Sequence, residues 1–401
     1  MMHDYFEFYC PVKIIAGQQA LENIPFELTL LGVRRVLLIT DAGVRQNGLL
    51  TPILQAFVGM DIEIGCIVDD VPSDSSLQVV KQVSQAYRTH QCQAILAVGG
   101  GSVIDTAKTA NILVSLGGDD LMAYAGAHNL SKPLNPLFVV PTTAGTGSEV
   151  TMVAVISDDA TQQKIAFASY HLLPNIAILD PRMTKTLPPR LTAMTAMDAL
   201  THAIEAYTGL AHNPMSDAYA ISAIELVAKN LPKTLDTPDD SDARLGLAVA
   251  ATMAGMAFSN SMVGLVHALG HGLGAIAHLP HGVCMNIFLP VVLSYNQDHD
   301  GERLGRLLLP LAGESVYLQT KADQRAAVLI RHIRTLQQSL HARTGLPYTL
   351  EQTGQVQISQ FDAIAKKALN DGSIIYNQKE ATLDDLIELL HQAWHGEWTI
   401  I

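Results

Sequence analysis

From residue 245 to residue 297 the chain contains no Asp, Glu, Lys or Arg. Charge is scarce throughout, at 16% of 401 residues against 48% hydrophobic ones. That balance argues against a disordered chain and points to a globular, core-rich one. The length exceeds what one core organises, so two domains are expected. Positive charge is the scarcer sign, with 25 Lys and Arg against 38 Asp and Glu and a net charge of −13. This argues against a nucleic-acid or anionic-membrane partner, because phosphate binding needs a basic surface. Cys10, Cys66, Cys92 and Cys284 are few and scattered, with no Cys-x-x-Cys pair. A disulfide framework or structural zinc site is not expected, and a reducing cytoplasm fits. Met1-Met2-His3-Asp4-Tyr5 carries neither the basic nor the apolar stretch of a secretory signal. The charge-free stretch is long enough to suggest a membrane span. Its Asn260, its four histidines and its Gly/Ala richness suit a buried helix pair better.

What is present organises itself in two halves. Apolar runs at 36–40, 62–68, 94–98, 137–140 and 177–179 read as buried strands. Helical patterns at 49–58, 77–87 and 103–113 alternate with them. The alternation predicts a parallel sheet with helices on both faces. From about Pro188 onward the pattern is helical, and residues 236–242 read as a solvated helix connection. The boundary falls near Thr186 to Pro189, giving an α/β domain over 1–186 and an all-α domain over 187–401. There is no internal repeat and no low-complexity tract.

Three strand ends in the first half suit a nucleotide. Gly99, Gly100 and Gly101 follow a buried strand and open a helix, so the backbone can approach a ligand and offer free N–H groups to phosphate. Ser102 can cap that helix or donate to the phosphate. The loop is not Gly-x-Gly-x-x-Gly, and a plain strand-helix turn is the alternative. Thr142, Thr143 and Thr146 follow another apolar strand and supply hydroxyls, or else form a capping loop. Asp41 ends the first strong strand, where a carboxylate can accept from ribose hydroxyls or act as a helix cap.

The second half holds Asp198 and His202 at a spacing of four, His267 and His271 at a spacing of four, and His281 after them. That spacing puts each pair on one helix face. One carboxylate and several imidazoles on facing helices can close around a divalent first-row metal. Core histidines satisfied by hydrogen bonds are the alternative for any one of them. For the set, metal binding is the reading.

Two long patterns then carry a resemblance. One runs from Asp180 through Pro188 and Asp198 to Glu205, as Asp-x7-Pro-x9-Asp-x6-Glu. The other is Gly264-x-x-His267-x-x-Gly270-His271-x-x-Gly274-x5-Pro280-His281-Gly282. With the Gly-Gly-Gly-Ser and Thr-Thr-Ala-Gly-Thr-Gly-Ser stretches, they make the chain resemble the iron-containing (group III) alcohol dehydrogenases, a family that includes lactaldehyde reductase. The resemblance implies a dehydroquinate synthase-like fold, with a nucleotide-binding α/β domain followed by an all-α metal-binding one. It implies NAD(H), Fe(II) or Zn(II), short alcohols and aldehydes as substrates, and a homo-oligomer, often a dimer. Residue by residue it implies Asp198, His202, His267 and His281 as metal ligands, with His271 nearby as a proton relay or packing residue. It assigns Asp41, Gly99 to Ser102, Asp105, Thr142, Thr143, Thr146 and Lys164 to the dinucleotide, and Val153 and Phe258 to the nicotinamide and substrate. Two stretches depart from the family pattern, Pro72-Ser73-Asp74-Ser75 and Asn377-Gln378-Lys379. A polyol dehydrogenase of the glycerol dehydrogenase kind, a dehydroquinate synthase-like lyase and a non-catalytic metal or nucleotide sensor are the competing readings. His281 as a fourth ligand and the charge-free metal region favour the iron-type enzyme.

Overall fold

The computed structural model describes residues 5–158 and 163–396; Met1 to Asp4, read above for a signal pattern, lie outside them. The strands are β1 (Lys13–Ala16), β2 (Arg35–Thr40), β3 (Glu63–Val68), β4 (Ala94–Gly99), β5 (Gly126–Ala127), β6 (Leu137–Pro141), β7 (Val153–Asp158), β8 (Gln163–Ala168) and β9 (Ile176–Leu179). Six of them pair in parallel in the order β1-β9-β6-β4-β2-β3. Helices α1 (Ile24–Leu30), α2 (Ala42–Gln46), α3 (Leu50–Ala56), α4 (Leu77–Thr89) and α5 (Gly101–Leu116) connect them.

Alternation along each strand divides the core into two layers. Val36, Leu38, Leu96, Val98, Phe138 and Val140 share one layer with Leu50 and Ile53 of α3. Leu37, Ile39, Ile95, Ala97 and Val139 share the other with Val80 and Val83 of α4 and with Ile104 and Ala107 of α5. Both faces are covered, which is why these strands read as continuous apolar runs. The connection from β2 to β3 crosses one face, and the return from β3 to β4 crosses the other. The strand order therefore reverses beside β2, and a crevice opens at the carboxyl ends of β2 and β4.

A smaller sheet, β5-β8-β7, was not foreseen; β7 and β8 form an antiparallel pair. Its short strands bury only alternate positions, with Ala154 and Ile156 inside and Val155 exposed, so no long apolar run announces them.

The helical part comprises α6 (Pro189–Thr208), α7 (Pro214–Asp236), α8 (Ser241–Ser259), α9 (Leu265–Ala277), α10 (His281–Arg306), α11 (Leu308–Ala312), α12 (Glu314–Gln319), α13 (Arg325–Thr344), α14 (Phe361–Leu369) and α15 (Leu383–His395). Two compact units result. One holds residues 9–187 and 239–255, and the other residues 5–8, 188–238 and 256–396. In the first unit, α8 lies backbone to backbone on the loop after β6. A Cβ at Gly255 would sit 2.8 Å from the Gly147 carbonyl, and Gly147 itself has φ +61°. In the second unit, α10 packs against α6, α9 and α13, and α14 against α9. Among the described residues no helix is long and apolar enough to cross a membrane.

Candidate metal centre and nucleotide crevice

Nearly all of α6 from Thr192 to Tyr207 is buried, including Asp198, His202 and Glu205. Their spacing of four and three aligns them on one face. α9 brings His267, also buried. It ends at His278, whose left-handed backbone (φ 53°) stops the helix and returns its N–H to the Gly274 carbonyl. The chain then turns through Leu279 and Pro280, so that His281 is the first residue of α10. Gly270 and Gly282 permit the helices to close this near. A Cβ at Gly270 would strike the Met285 side chain at 2.0 Å, and one at Gly282 the Met194 carbonyl at 2.7 Å.

One donor atom from each of Asp198, His202, His267 and His281 lies within 4.8 Å of all the others. His202 and His267 stack with ring centroids 4.6 Å apart, and Asp198 Oδ1 is 3.3 Å from His281 Nε2. His202 Nδ1 and His267 Nε2 are buried without a hydrogen bond among the described residues. Burying such atoms costs about 1–3 kcal/mol each unless something else meets them. Burial drives His202 down to about 3 and His267 well below the usual imidazole range, so both rings are neutral. Burial alone would raise Asp198, but the charge that His202 and His281 take up in acid outweighs it, so the carboxyl loses its proton below the usual carboxylate range. One carboxylate and three imidazoles form a donor set for a divalent first-row cation. The residues present fit such an ion.

Phe258 stacks on His202, with centroids 4.3 Å apart, and gives the centre an apolar neighbour. His271 stands apart from the four. Its side chain is 43% exposed, its ring stacks on His281 at 5.5 Å, and its Nδ1 meets Asp371 Oδ2 at 2.9 Å. His278 is exposed and serves as the end of α9. The departing stretch at Asn377 is anchored away from solvent. Asn377 and Asn296 exchange amide hydrogen bonds of 2.8 and 2.9 Å, and Lys379 Nζ lies 3.9 Å over the Tyr295 ring.

In the α/β unit the crevice brings together the expected loops. Thr142 N–H bonds the Gly99 carbonyl at 3.1 Å, Thr143 borders Gly100 and Thr146 borders Gly101. Gly100, not Ser102, is the N-cap of α5. The Ser102 hydroxyl instead donates to the Ser73 carbonyl, which ties the departing 72–75 stretch to the start of that helix. Asp41 caps α2 through Oδ1, which accepts from Val44 N–H at 2.9 Å. Lys164, on β8, pairs with Asp74 at 3.1 Å on the surface.

Asp105 faces inward. Its carboxylate accepts from Ser148 Oγ at 2.7 Å and from Val155 N–H at 3.0 Å. Lys108, one turn further along α5, is wholly buried. Its Nζ donates to the carbonyls of Thr151 and Val153, both at 2.8 Å, to Thr151 Oγ1 at 3.1 Å and to Ser148 Oγ at 3.3 Å. Burial lowers its pKa to about 8 and raises those of Asp105 and Glu149. This network holds the segment that starts with the Thr142–Thr146 hydroxyls and ends at Val153.

Comparison with known proteins covers both halves. Residues 11–181 match the iron-containing alcohol dehydrogenase model, and residues 192–394 match the C-terminal model of the Fe-containing alcohol dehydrogenase family. The chain belongs to the iron-containing alcohol dehydrogenase family. It is 35% identical over 400 residues to a 1,3-propanediol dehydrogenase of Citrobacter freundii, covering 98% of this chain and 100% of that one. It is 32% identical over 387 residues to an NAD-dependent methanol dehydrogenase of Bacillus methanolicus, covering 96% and 99%. A crystal structure of a 1,3-propanediol oxidoreductase superposes with a TM-score of 0.91 at 34% identity, over 97% of this chain and 100% of that one.

Three residues of these sites had no role in the sequence reading. Glu205 was only the last position of the Asp-x7-Pro-x9-Asp-x6-Glu pattern, yet Glu205 Oε2 is hydrogen-bonded to His267 Nδ1. Asp371 lies a hundred residues from His271. Lys108 reads as an ordinary helix lysine. For Glu205 the motif itself was a signal; for the other two only the fold is.

Proposed function

We propose that this chain is a metal-dependent, NAD(H)-linked alcohol dehydrogenase that interconverts short primary alcohols and aldehydes. The observation that carries the reading is the quartet of converging donor residues in a member of this family, in which His202 Nδ1 and His267 Nε2 have no hydrogen bond among the described residues. Asp198, His202, His267 and His281 would hold the metal. When bound, the metal would supply Lewis acidity and the nicotinamide a site for hydride exchange. Gly99, Gly100, Gly101 and Ser102 would receive the pyrophosphate at the α5 N-terminus, with Thr142, Thr143 and Thr146 beside them. Asp41 would accept from ribose, while Asp105 and Lys164 would support the same crevice. Val153 and Phe258 would contribute apolar surface to the nicotinamide and substrate. His271, exposed and oriented by Asp371, would take the alcohol proton at Nε2 and pass it to solvent. The nucleotide falls to residues 1–186 and the metal to residues 187–401.

A second reading, a polyol enzyme, draws on the 1,3-propanediol dehydrogenase relatives. We also infer a homodimer or higher homo-oligomer in a reducing cytoplasm. All four cysteines are unpaired thiols, as such a compartment maintains.

Protein purified without oxygen, analysed for metal and assayed with NADH and a panel of short aldehydes, tests the activity. Metal and nucleotide binding without turnover would make it a sensor instead. Sedimentation at several concentrations tests the oligomer.

A further inference from the structure

We propose that Glu205 is the positioning residue of the metal site: one carboxylate that caps α9 and fixes which nitrogen of His267 faces the ion. The inference rests on the metal reading above. The N-cap of α9 is Gly264, which has no side chain with which to satisfy the first helical N–H groups. Glu205, from α6, does this from outside. Its Oε1 accepts from Val266 N–H at 2.6 Å. Its Oε2 is hydrogen-bonded to His267 Nδ1. A Cβ at Gly264 would lie 3.2 Å from Oε1, so a larger N-cap residue would crowd the carboxylate that replaces it.

The two oxygens thus serve two donors. With the proton of His267 on Nδ1, the lone pair of Nε2 is exposed to the site, where that atom has no hydrogen bond among the described residues. Cap and tautomer are therefore set by one group. An amide cannot do both, because glutamine has one acceptor oxygen and one NH2 donor. Turned one way, it strands Val266 N–H. Turned the other, it donates to His267 Nδ1 and moves the ring proton onto Nε2, where the lone pair is needed.

The test is the affinity of metal-free protein for Zn(II), measured by chelator competition for wild type, Glu205→Gln and His267→Ala. Glu205→Gln is expected to weaken Zn(II) by about 10–100-fold, the effect of losing a partner that orients a ligand. Excess Zn(II) refills the site, because the four ligands remain. Wild-type affinity in Glu205→Gln, with His267→Ala weakened, overturns the role of Glu205 and leaves the metal reading standing. Wild type that takes up no Zn(II) overturns both. Should Glu205→Gln fail to fold, 15N-histidine spectra of wild type decide. His267, assigned by its loss in His267→Ala, is expected to carry its proton on Nδ1 with and without Zn(II). A proton on Nε2 in the metal-free protein overturns the proposal.

Discussion

Around Lys108, each buried charge is met within the chain. The ammonium has four acceptors, Asp105 has Ser148 and Val155, and Glu149 accepts from Thr252 at 2.7 Å. Around His202 and His267, Glu205 meets His267 Nδ1, but His202 Nδ1 and His267 Nε2 have no hydrogen bond among the described residues. Both regions are lined by apolar side chains, so low polarity does not explain the difference. A closed polar network fixes a segment of backbone. An open one, in residues that each bring a donor atom within 4.8 Å of the others, has donor capacity left for a cation.

The largest effect should come from the open network. His267→Ala or His281→Ala should remove most bound metal and cut turnover by more than the about 10–100-fold that loss of an orienting partner costs. Circular dichroism should show the protein still folded. Elemental analysis decides, and stoichiometric metal with near-normal turnover in both variants would erase the contrast.

Next comes the closed network. Lys108→Met should leave Asp105 and Glu149 buried beside an apolar chain, at a cost of about 3–5 kcal/mol in urea unfolding. Metal uptake by the folded variant should be unchanged, because the lysine serves the α/β unit. An unfolding midpoint equal to wild type would show that the network is not structural.

Asp41 sharpens the comparison, because it is half closed: one oxygen caps α2. NAD(H) should be preferred over NADP(H) by about 1–3 kcal/mol, through ribose hydrogen bonds and repulsion of a 2′-phosphate. Asp41→Gly should narrow or reverse this at little cost in stability, since glycine is a tolerated N-cap. A wild-type preference for NADPH in kcat/KM contradicts the assignment.

Substrate choice should show the smallest differences. Phe258 and Val153, the residues proposed for the substrate, carry no hydrogen-bonding side chain, so a secondary hydroxyl held against either would be stranded at a cost of about 1–3 kcal/mol. Propan-1-ol and butan-1-ol should therefore exceed 1,2-propanediol and glycerol in kcat/KM. 1,3-Propanediol, whose second hydroxyl is terminal, is the informative intermediate. If 1,2-propanediol or glycerol outperforms both mono-alcohols, a polar contact is present, and the Gly372–Tyr376 turn is the place to seek it.

The parts legible in sequence are those with a strong period. The strands at 36–40, 94–98 and 137–140 are buried on both faces and appear within a residue of their expected limits. Asp198, His202 and His267 follow from helical spacing, and His281 from a turn that spacing alone does not specify. β1, at four residues, is too short to stand out, and β7, though six residues long, buries only alternate positions and makes no apolar run. Lys108 is hidden for another reason: it reads as a surface lysine of a helix until the segment at Ser148 to Val153 folds over it. Asp371 and Glu205 act on histidines in other segments, and no local pattern records such a pairing.

The same chain path limits how the protein can be cut. Residues 239–255 belong with the α/β unit although they follow α6 and α7 in sequence. A fragment ending at residue 187 would lack Thr252, the hydroxyl that donates to buried Glu149, and Gly255, whose backbone covers Gly147. It would leave Glu149 without that donor and the backbone at Gly147 uncovered. The complementary fragment, residues 188–401, would carry an apolar length of α8 without its packing partner. Expressing the halves separately should therefore yield two insoluble products, whereas coexpression as a split pair gives residues 239–255 back their surface.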